Sequence, residues 1–385
     1  MSPASKLASL RCSRCERSYD ADAVAQLCEC KSPLLAQYDL EAAAQTMTHA
    51  SLKERPDGLW RYRELLPVRR DDAMVSLGER STPILAARRF GEQLGLNQLF
   101  VKDEGTLPTG SFKARGAAVG VSRARELGIT SFAMPTNGNA GVAWSVYGAS
   151  AGLTATIVMP KAAPAEYRTQ CADAGARVVL VDGFIGDAGR VVAQAAAEDG
   201  IFDASTLKEP YRIEGKKTLG FEIAEQFDWQ LPETIVYPTG GGVGLIGMHK
   251  AFGELRAMGL LAGPLPRFIA VQSAGCAPIV AAWEANRESS EAWADPNTVA
   301  FGINVPKALG DFLILRALRE SGGSAIAVED ADTIEAQRVF ARCEGFAACL
   351  EGAAALAGVA AMARAGVLRP DERTLVINTG TGRIQ

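Results

Sequence analysis

Histidine, the side chain most often used for proton transfer near neutral pH, is almost missing from this chain. Among 385 residues there are two, His49 and His249, and neither sits in a recognisable catalytic motif. Long basic runs are also absent, and the formal net charge is -4, which argues against a nucleic-acid partner. No uninterrupted apolar stretch is long enough to span a bilayer, and Met1 to Leu10 lacks the apolar core of a signal peptide. The expectation is a cytoplasmic protein with no membrane contact. What is present is the composition of an ordinary enzyme: 48% hydrophobic residues and 39 glycines, in a chain long enough for two or three domains.

The eight cysteines fall into two groups. Cys171, Cys276, Cys343 and Cys349 lie in apolar surroundings and read as buried thiols. Cys12, Cys15, Cys28 and Cys30 crowd residues 10–38 as two close pairs separated by a polar loop. Zn²⁺ prefers four tetrahedral sulfur ligands, so this pattern predicts a small structural zinc ribbon with no ligand position left open for catalysis. The second pair is Cys-x-Cys rather than Cys-x-x-Cys, and the competing reading is four unliganded thiols.

Residues 39–75 look helical with irregular connections. A Ser81-Thr82-Pro83 turn leads into an amphipathic helix over about 86–94. From residue 99 onward the pattern alternates. Apolar strands are predicted at 99–102, 131–135, 155–159, 177–181, 234–237, 268–272 and 374–378, with Ala- and Leu-rich helices between them. Short, nearly continuous apolar strands separated by helices predict an α/β fold of parallel sheets covered on both faces. Ligands in such sheets bind beyond the carboxyl ends of the strands.

Four segments carry chemistry. Pro108-Thr109-Gly110-Ser111-Phe112-Lys113 sets one lysine after a small-residue turn, at the start of a helix predicted over 114–127. A buried lysine loses its proton more readily, and the neutral amine can form a Schiff base with an aldehyde. Thr136-Asn137-Gly138-Asn139 follows the strand at 131–135 and opens a helix, which suits a carboxylate or oxygen anion. Gly240, Gly241, Gly242, Val243 and Gly244 follow the strand at 234–237, where backbone amides and a helix start favour a phosphate. Thr379 places a neutral hydroxyl after the strand at 374–378. Each loop alone is often only a turn. Together an amine, an oxygen-binding Asn, a phosphate cradle and a neutral hydroxyl match one cofactor, pyridoxal 5'-phosphate.

The chain resembles the threonine synthases, within the pyridoxal-phosphate fold that includes serine/threonine dehydratases and cysteine synthases. The likeness runs from the Cys cluster and Pro33-Leu34-Leu35 through Ser81-Thr82-Pro83, the lysine motif and Arg212-Ile213-Glu214-Gly215-Lys216-Lys217-Thr218 to Thr379. It implies a two-domain fold-type II enzyme with a zinc-ribbon-like segment at 1–38. A large cofactor-binding domain would comprise 39–98 and 203–385, and a small mobile domain 99–202 would carry the lysine and the Asn loop. The resemblance further implies a homodimer acting on a small amino acid. Lys113 would be the Schiff-base lysine and general base, Asn139 would meet the ring hydroxyl, Gly240 to Gly244 the phosphate, and Thr379 the ring nitrogen. Phe112 would pack beside the lysine or in the core. Thr136, Asn137, Gly138 and Asn139 would hold the substrate α-carboxylate, and Arg212, with Ser205 nearby, the substrate's own phosphate.

The chain departs from the family where that phosphate would bind. Ala114 stands where an Asp is usual, Ala140 replaces a hydroxyl, Ala204-Ser205 replaces Asn-Ser, and Gly241 replaces an Asn. Each charge-assisted hydrogen bond to a phosphate contributes about 1.5–3 kcal/mol, so losing several bears on the substrate. The implied reaction is O-phosphohomoserine plus water to L-threonine plus phosphate. The alternative is a serine/threonine dehydratase or β-replacement enzyme using the same lysine. Gly242-x-Gly244-x-x-Gly247 also matches a dinucleotide fingerprint, but the next strand ends in Gln272-Ser273 with no acid for a ribose. A nucleic-acid ribbon is opposed by the acidic charge balance.

Overall fold

The computed structural model describes residues 4–382. The chain forms two compact units. The first comprises residues up to Ser81, Lys113–Phe221 and Gly253–Leu260. It begins with an antiparallel three-stranded sheet in the order Ser18–Tyr19, Leu7–Cys12, Leu34–Tyr38, with Cys12 opposite Leu34. Its second sheet has four parallel strands in the order Arg177–Val181, Thr154–Pro160, Ser131–Pro135, Phe202–Asp203. The central strands are almost wholly apolar, as burial on both faces requires. On one face Ala133 and Val158 pack on Ala188 and Val192 of the helix Ile185–Asp199. Phe132 meets Trp144 of the helix Asn139–Ala151 edge-on, with ring centroids 5.3 Å apart.

The second unit comprises Thr82–Phe112, Glu222–Phe252 and the residues from Leu261 onward. Its six strands run in the order Ser324–Val328, Arg267–Ser273, Thr234–Pro238, Thr374–Asn378, Leu99–Asp103, Ile84–Ala86. All pairs are parallel except the last, which is antiparallel. Val101, Val236, Ile269 and Val376 enter a core shared with Phe90 and Phe340. No described helix is long and apolar enough to cross a membrane.

The seven predicted strands are present, three of them with the same bounds. Three short strands outside the ribbon were not expected. Ile84–Ala86 occupies residues read partly as the start of a helix, which begins only at Arg88. Phe202–Asp203 has two residues, and Ser324–Val328 is a half-buried edge strand. Strand pairing shows which sheet each boundary segment joins. Leu99–Asp103, assigned with 99–202, bonds to Thr374–Asn378 in the six-stranded sheet. Phe202–Asp203 bonds to Ser131–Pro135, so the chain stays with the four-stranded sheet past 202. Residues 39–81 group with that sheet's unit as well.

Within the second unit a buried ion pair holds the turn at 82. Lys102 Nζ lies 2.9 Å from Glu222 Oε2 and donates to the Thr82 carbonyl and Gln226 Oε1, both at 2.7 Å. Both charged side chains are essentially inaccessible to water. Glu222→Leu strands the ammonium in the interior, which costs about 3–5 kcal/mol. Thermal or urea unfolding should show this loss, with Lys102→Met in the same chain recovering much of it.

Candidate functional site

In the second unit, the strand Thr234–Pro238 runs into the glycine loop and the 15-residue helix Val243–Ala257. Thr239 is fixed through its amide on the Val271 carbonyl (2.7 Å) and its hydroxyl on the Tyr237 carbonyl (2.9 Å). Gly242 has φ +66°, and a Cβ there would sit 2.2 Å from Ile314 Cδ1. Only glycine fits that conformation and that space. Gly240 backs onto Ile303 and Val305 in the same way, while the Gly244 amide lies against Tyr237 Oη. The loop is thus packed from behind at the start of a long helix, whose first amides lack intrahelical acceptors and whose dipole favours an anion. Gln272, at the end of the next strand, donates to the Thr239 carbonyl and accepts from the Ile279 amide. It braces the loop, and no acid follows it for a dinucleotide ribose.

Thr379 is buried at the end of Thr374–Asn378, with its hydroxyl 3.6 Å from Cys349 Sγ. Burial pushes the Cys349 thiol up to about 12, so the group beside Thr379 is neutral at physiological pH. Asn378 fixes this end by donating to Asp103 Oδ1 (2.9 Å) and the Gly380 carbonyl (2.8 Å). The Phe112 amide donates to the Thr379 carbonyl (2.9 Å) and the Thr381 amide to the Gly110 carbonyl (2.8 Å), which stitches the lysine motif to the strand end. Phe112 itself packs edge-on against Tyr237, at 6.2 Å between centroids. Two hydroxyls of this motif, Thr109 Oγ1 and Ser111 Oγ, are buried without a hydrogen-bond partner.

In the first unit, half-buried Lys113 is the first residue of the helix Lys113–Glu126. Gly116 and Gly120 follow three and seven residues on, along the same face. A Cβ at Gly116 would lie 2.9 Å from Arg212 Cγ, and one at Gly120 would lie 2.7 Å from the Trp144 ring. The face that begins with Lys113 is therefore pared down to admit Arg212 and Trp144. The Arg212 guanidinium lies 4.7 Å from the Trp144 ring centroid and donates to Thr206 Oγ1 (3.0 Å) and the Ala204 carbonyl. Its Nε has no hydrogen-bond partner, and the nearest carboxylate oxygen, Glu209 Oε2, is 3.9 Å away. Burial lowers its pKa to about 10, so it stays cationic at neutral pH. Glu209 accepts the amides of Tyr211 (2.6 Å) and Arg212 (2.8 Å), capping the helix Arg212–Gln226.

The Asn loop and the 204–212 segment leave neighbouring strands at the same sheet edge, the Ala204 amide still bonding to the Ala133 carbonyl (2.8 Å). Within them two expected donors are already committed. Thr136 Oγ1 accepts the amides of Gly138 (3.1 Å) and Gly141 (3.0 Å), so its hydroxyl shapes the loop. Ser205 Oγ donates to Asp203 Oδ1, whose other oxygen takes Lys208 Nζ at 2.7 Å. Half-buried Asn137 and Asn139 supply the side-chain amides of the loop. Thr206, Lys208, Glu209 and Trp144 were not singled out from sequence. The only signal for them is their closeness to Arg212 in the fold, apart from the odd Trp in an Ala-rich helix.

The N-terminal thiols converge. Cys12 Sγ is 3.4 Å from Cys30 Sγ, Cys15 Sγ is 3.4 Å from Cys28 Sγ, and all four sulfurs lie within 4.8 Å of one another. The amides of Arg14 and Cys15 both point at Cys12 Sγ, at 3.4 Å. The two histidines take no part in these sites. His49 bonds to the Leu260 carbonyl, and His249 faces Glu320 at 3.3 Å.

The donor sets suit pyridoxal phosphate: a helix-start cradle for a phosphate, a neutral hydroxyl and thiol rather than an acid for a pyridine nitrogen, buried hydroxyls with no protein partner, and an amine at a helix start. The family model for pyridoxal-phosphate dependent enzymes matches residues 75–380, and the chain belongs to that family. Within it the chain is threonine synthase-like. It is 35% identical to threonine synthase of Methanocaldococcus jannaschii over 97% of this chain and 92% of that one. It is also 35% identical to threonine synthase of Methanosarcina acetivorans, over 96% and 91%. Among solved structures, maize serine racemase superposes with a TM-score of 0.68 at 21% identity, covering 79% of this chain and 89% of that one. Tomato threonine deaminase isoform 2 superposes with a TM-score of 0.66 at 21% identity, over 81% and 86%.

Gly242→Ala forces the loop to move away from Ile314. Titration of the apoprotein with pyridoxal phosphate should show cofactor affinity falling by roughly tenfold or more, while the cost to stability stays near 1–3 kcal/mol.

Proposed function

We propose that this chain is a threonine synthase that converts O-phosphohomoserine and water to L-threonine and phosphate. The observation that carries this is Arg212, a buried guanidinium that stays charged and keeps an Nε–H without an acceptor. The Nε atoms of Arg63, Arg123 and Arg168 are likewise buried without a partner, so the weight rests on position: Arg212 packs against Gly116, three residues from Lys113, with Glu209 held off at 3.9 Å. The nearly full-length likeness to threonine synthases supports a phosphate as that ligand.

Bound pyridoxal phosphate supplies an electron sink for carbanion chemistry. Gly240, Gly241, Gly242, Val243 and Gly244 would hold its phosphate, Asn139 its ring hydroxyl, Thr379 its ring nitrogen and Lys113 its aldehyde. The Lys113 amine would take the proton from the substrate Cα. Asn137, Gly138 and the amides braced by Thr136 hold the substrate α-carboxylate. Arg212 holds the γ-phosphate and stabilises the charge that gathers on it as the C–O bond breaks. Ser205 acts indirectly, fixing Asp203 and through it Lys208 at the rim. The same reading includes a cytoplasmic homodimer.

Purified protein should release phosphate from O-phosphohomoserine and leave L-threonine and L-serine intact. Ammonia and a keto acid from either of the latter would replace this reading with a dehydratase. Lys113→Ala should lose activity by at least roughly 10³-fold together with the visible absorption of the bound cofactor.

The four N-terminal thiols are proposed to hold one structural zinc ion. Tetrahedral zinc with Zn–S bonds near 2.3 Å sets its sulfurs about 3.8 Å apart, close to the 3.4–3.8 Å separations of the linked thiol pairs. All four positions are thiolates, so the ion has no role in the chemistry. Metal analysis of protein purified without chelator should find one zinc per chain, falling to none in Cys15→Ser/Cys30→Ser. Metal-free wild-type protein with all eight thiols reactive once unfolded would dismiss the site.

A further inference from the structure

The ribbon touches the segment that presents Arg212, within one compact unit. Tyr211, the residue before Arg212, is buried in the ribbon's own apolar cluster with Leu10, Cys12, Cys28 and Leu34. Its phenol donates to the Ala21 carbonyl at 2.7 Å. Arg123 Nη2 donates to the same carbonyl and to Asp22 Oδ1, both at 2.7 Å, and its guanidinium lies 5.4 Å from the Tyr211 ring centroid. At the other end of the segment, Gln26 Nε2 donates to the Asp203 carbonyl. Asp203 in turn fixes Ser205 and Lys208.

Both ends of residues 203–212 are thus pinned by one ribbon loop, residues 21–26. That loop has no regular secondary structure and is closed by Cys15 on one side and Cys28 on the other.

We propose that the four-cysteine ribbon is a positioning element for the anion-binding segment 203–212, with Tyr211 and Gln26 as the positioning residues that transmit it. The thiol cluster fixes loop 21–26, the loop fixes Asp203 and Tyr211, and these fix the backbone from which Arg212 reaches Trp144. Neither Tyr211 nor Gln26 touches the reacting atoms. Dependence on metal rests on the zinc reading above; the pinning by Tyr211 and Gln26 does not. The ligand served is the phosphate of the proposed substrate.

The test is amide hydrogen exchange on holoenzyme carrying Tyr211→Phe or Gln26→Ala, read peptide by peptide. Exchange across 203–212 should rise severalfold, with the glycine loop at 240–244 and the cofactor absorbance unchanged. One neutral hydrogen bond is lost in each variant, so the KM for O-phosphohomoserine should rise roughly 3- to 10-fold with kcat within about twofold. Unchanged exchange in 203–212 overturns the proposal, as does a fall in kcat with KM fixed. Cys15→Ser/Cys30→Ser should give the same local exchange and the same KM shift; unaltered exchange there removes the metal from the chain of contacts. If wild type proves inactive on O-phosphohomoserine, the substrate reading fails while the exchange measurement still decides the positioning role.

Discussion

Arg212 carries a positive charge into the protein interior, and a buried charge is tolerated only where surrounding groups answer it. Much of the first unit can be read as that answer. Gly116 and Gly120 clear space for it, Trp144 offers the face of its ring, Thr206 and the Ala204 carbonyl accept from its terminal nitrogens, and Glu209 stands close enough to compensate without closing on it. The compensation is incomplete at Nε. A pair with Glu209 at hydrogen-bond distance would be more stable and would leave less for a ligand. The spacing is 3.9 Å, beyond hydrogen-bond reach.

The second unit meets a different demand with a different device. In the proposed reading an anion would be attracted there by backbone rather than by a charged side chain, since helix amides and a tight glycine turn need no ionisable group. The neutral surroundings of Thr379 follow the same pattern. A carboxylate there would hold a proton on a pyridine nitrogen and draw electron density toward the ring, whereas a hydroxyl and a thiol do so only weakly. If Thr379 meets the ring nitrogen as proposed, the residue at this strand end bears on which bonds the enzyme can break.

Local chemistry was legible in the sequence wherever a short motif dictates its own conformation. The lysine turn, the glycine loop and the strands Ser131–Pro135 and Thr374–Asn378 are of this kind, because turn residues and apolar runs act within a few positions. What could not be read depends on partners far along the chain. Tyr211 meets Ala21, 190 residues away, and Gln26 meets Asp203, 177 residues away. Nothing in either stretch marks the other. Sheet membership is set at a distance in the same way, since a strand belongs to the sheet that pairs with it and Leu99–Asp103 is paired by Thr374–Asn378. Ser205 and Thr136 show a finer limit: their hydroxyls were recognised as donors, but the neighbours that already use them were not.

Thr109 adopts φ +66°, a left-handed backbone that a β-branched residue reaches only with difficulty. Glycine would take that conformation freely, and the next residue, Gly110, does so at φ +65°. A threonine at such a position exchanges backbone ease for a hydroxyl, and that hydroxyl is buried and meets no protein acceptor. The unstrained choice would carry no oxygen at all. At position 109 backbone strain and an unmet hydroxyl therefore fall on the same residue, four positions before Lys113.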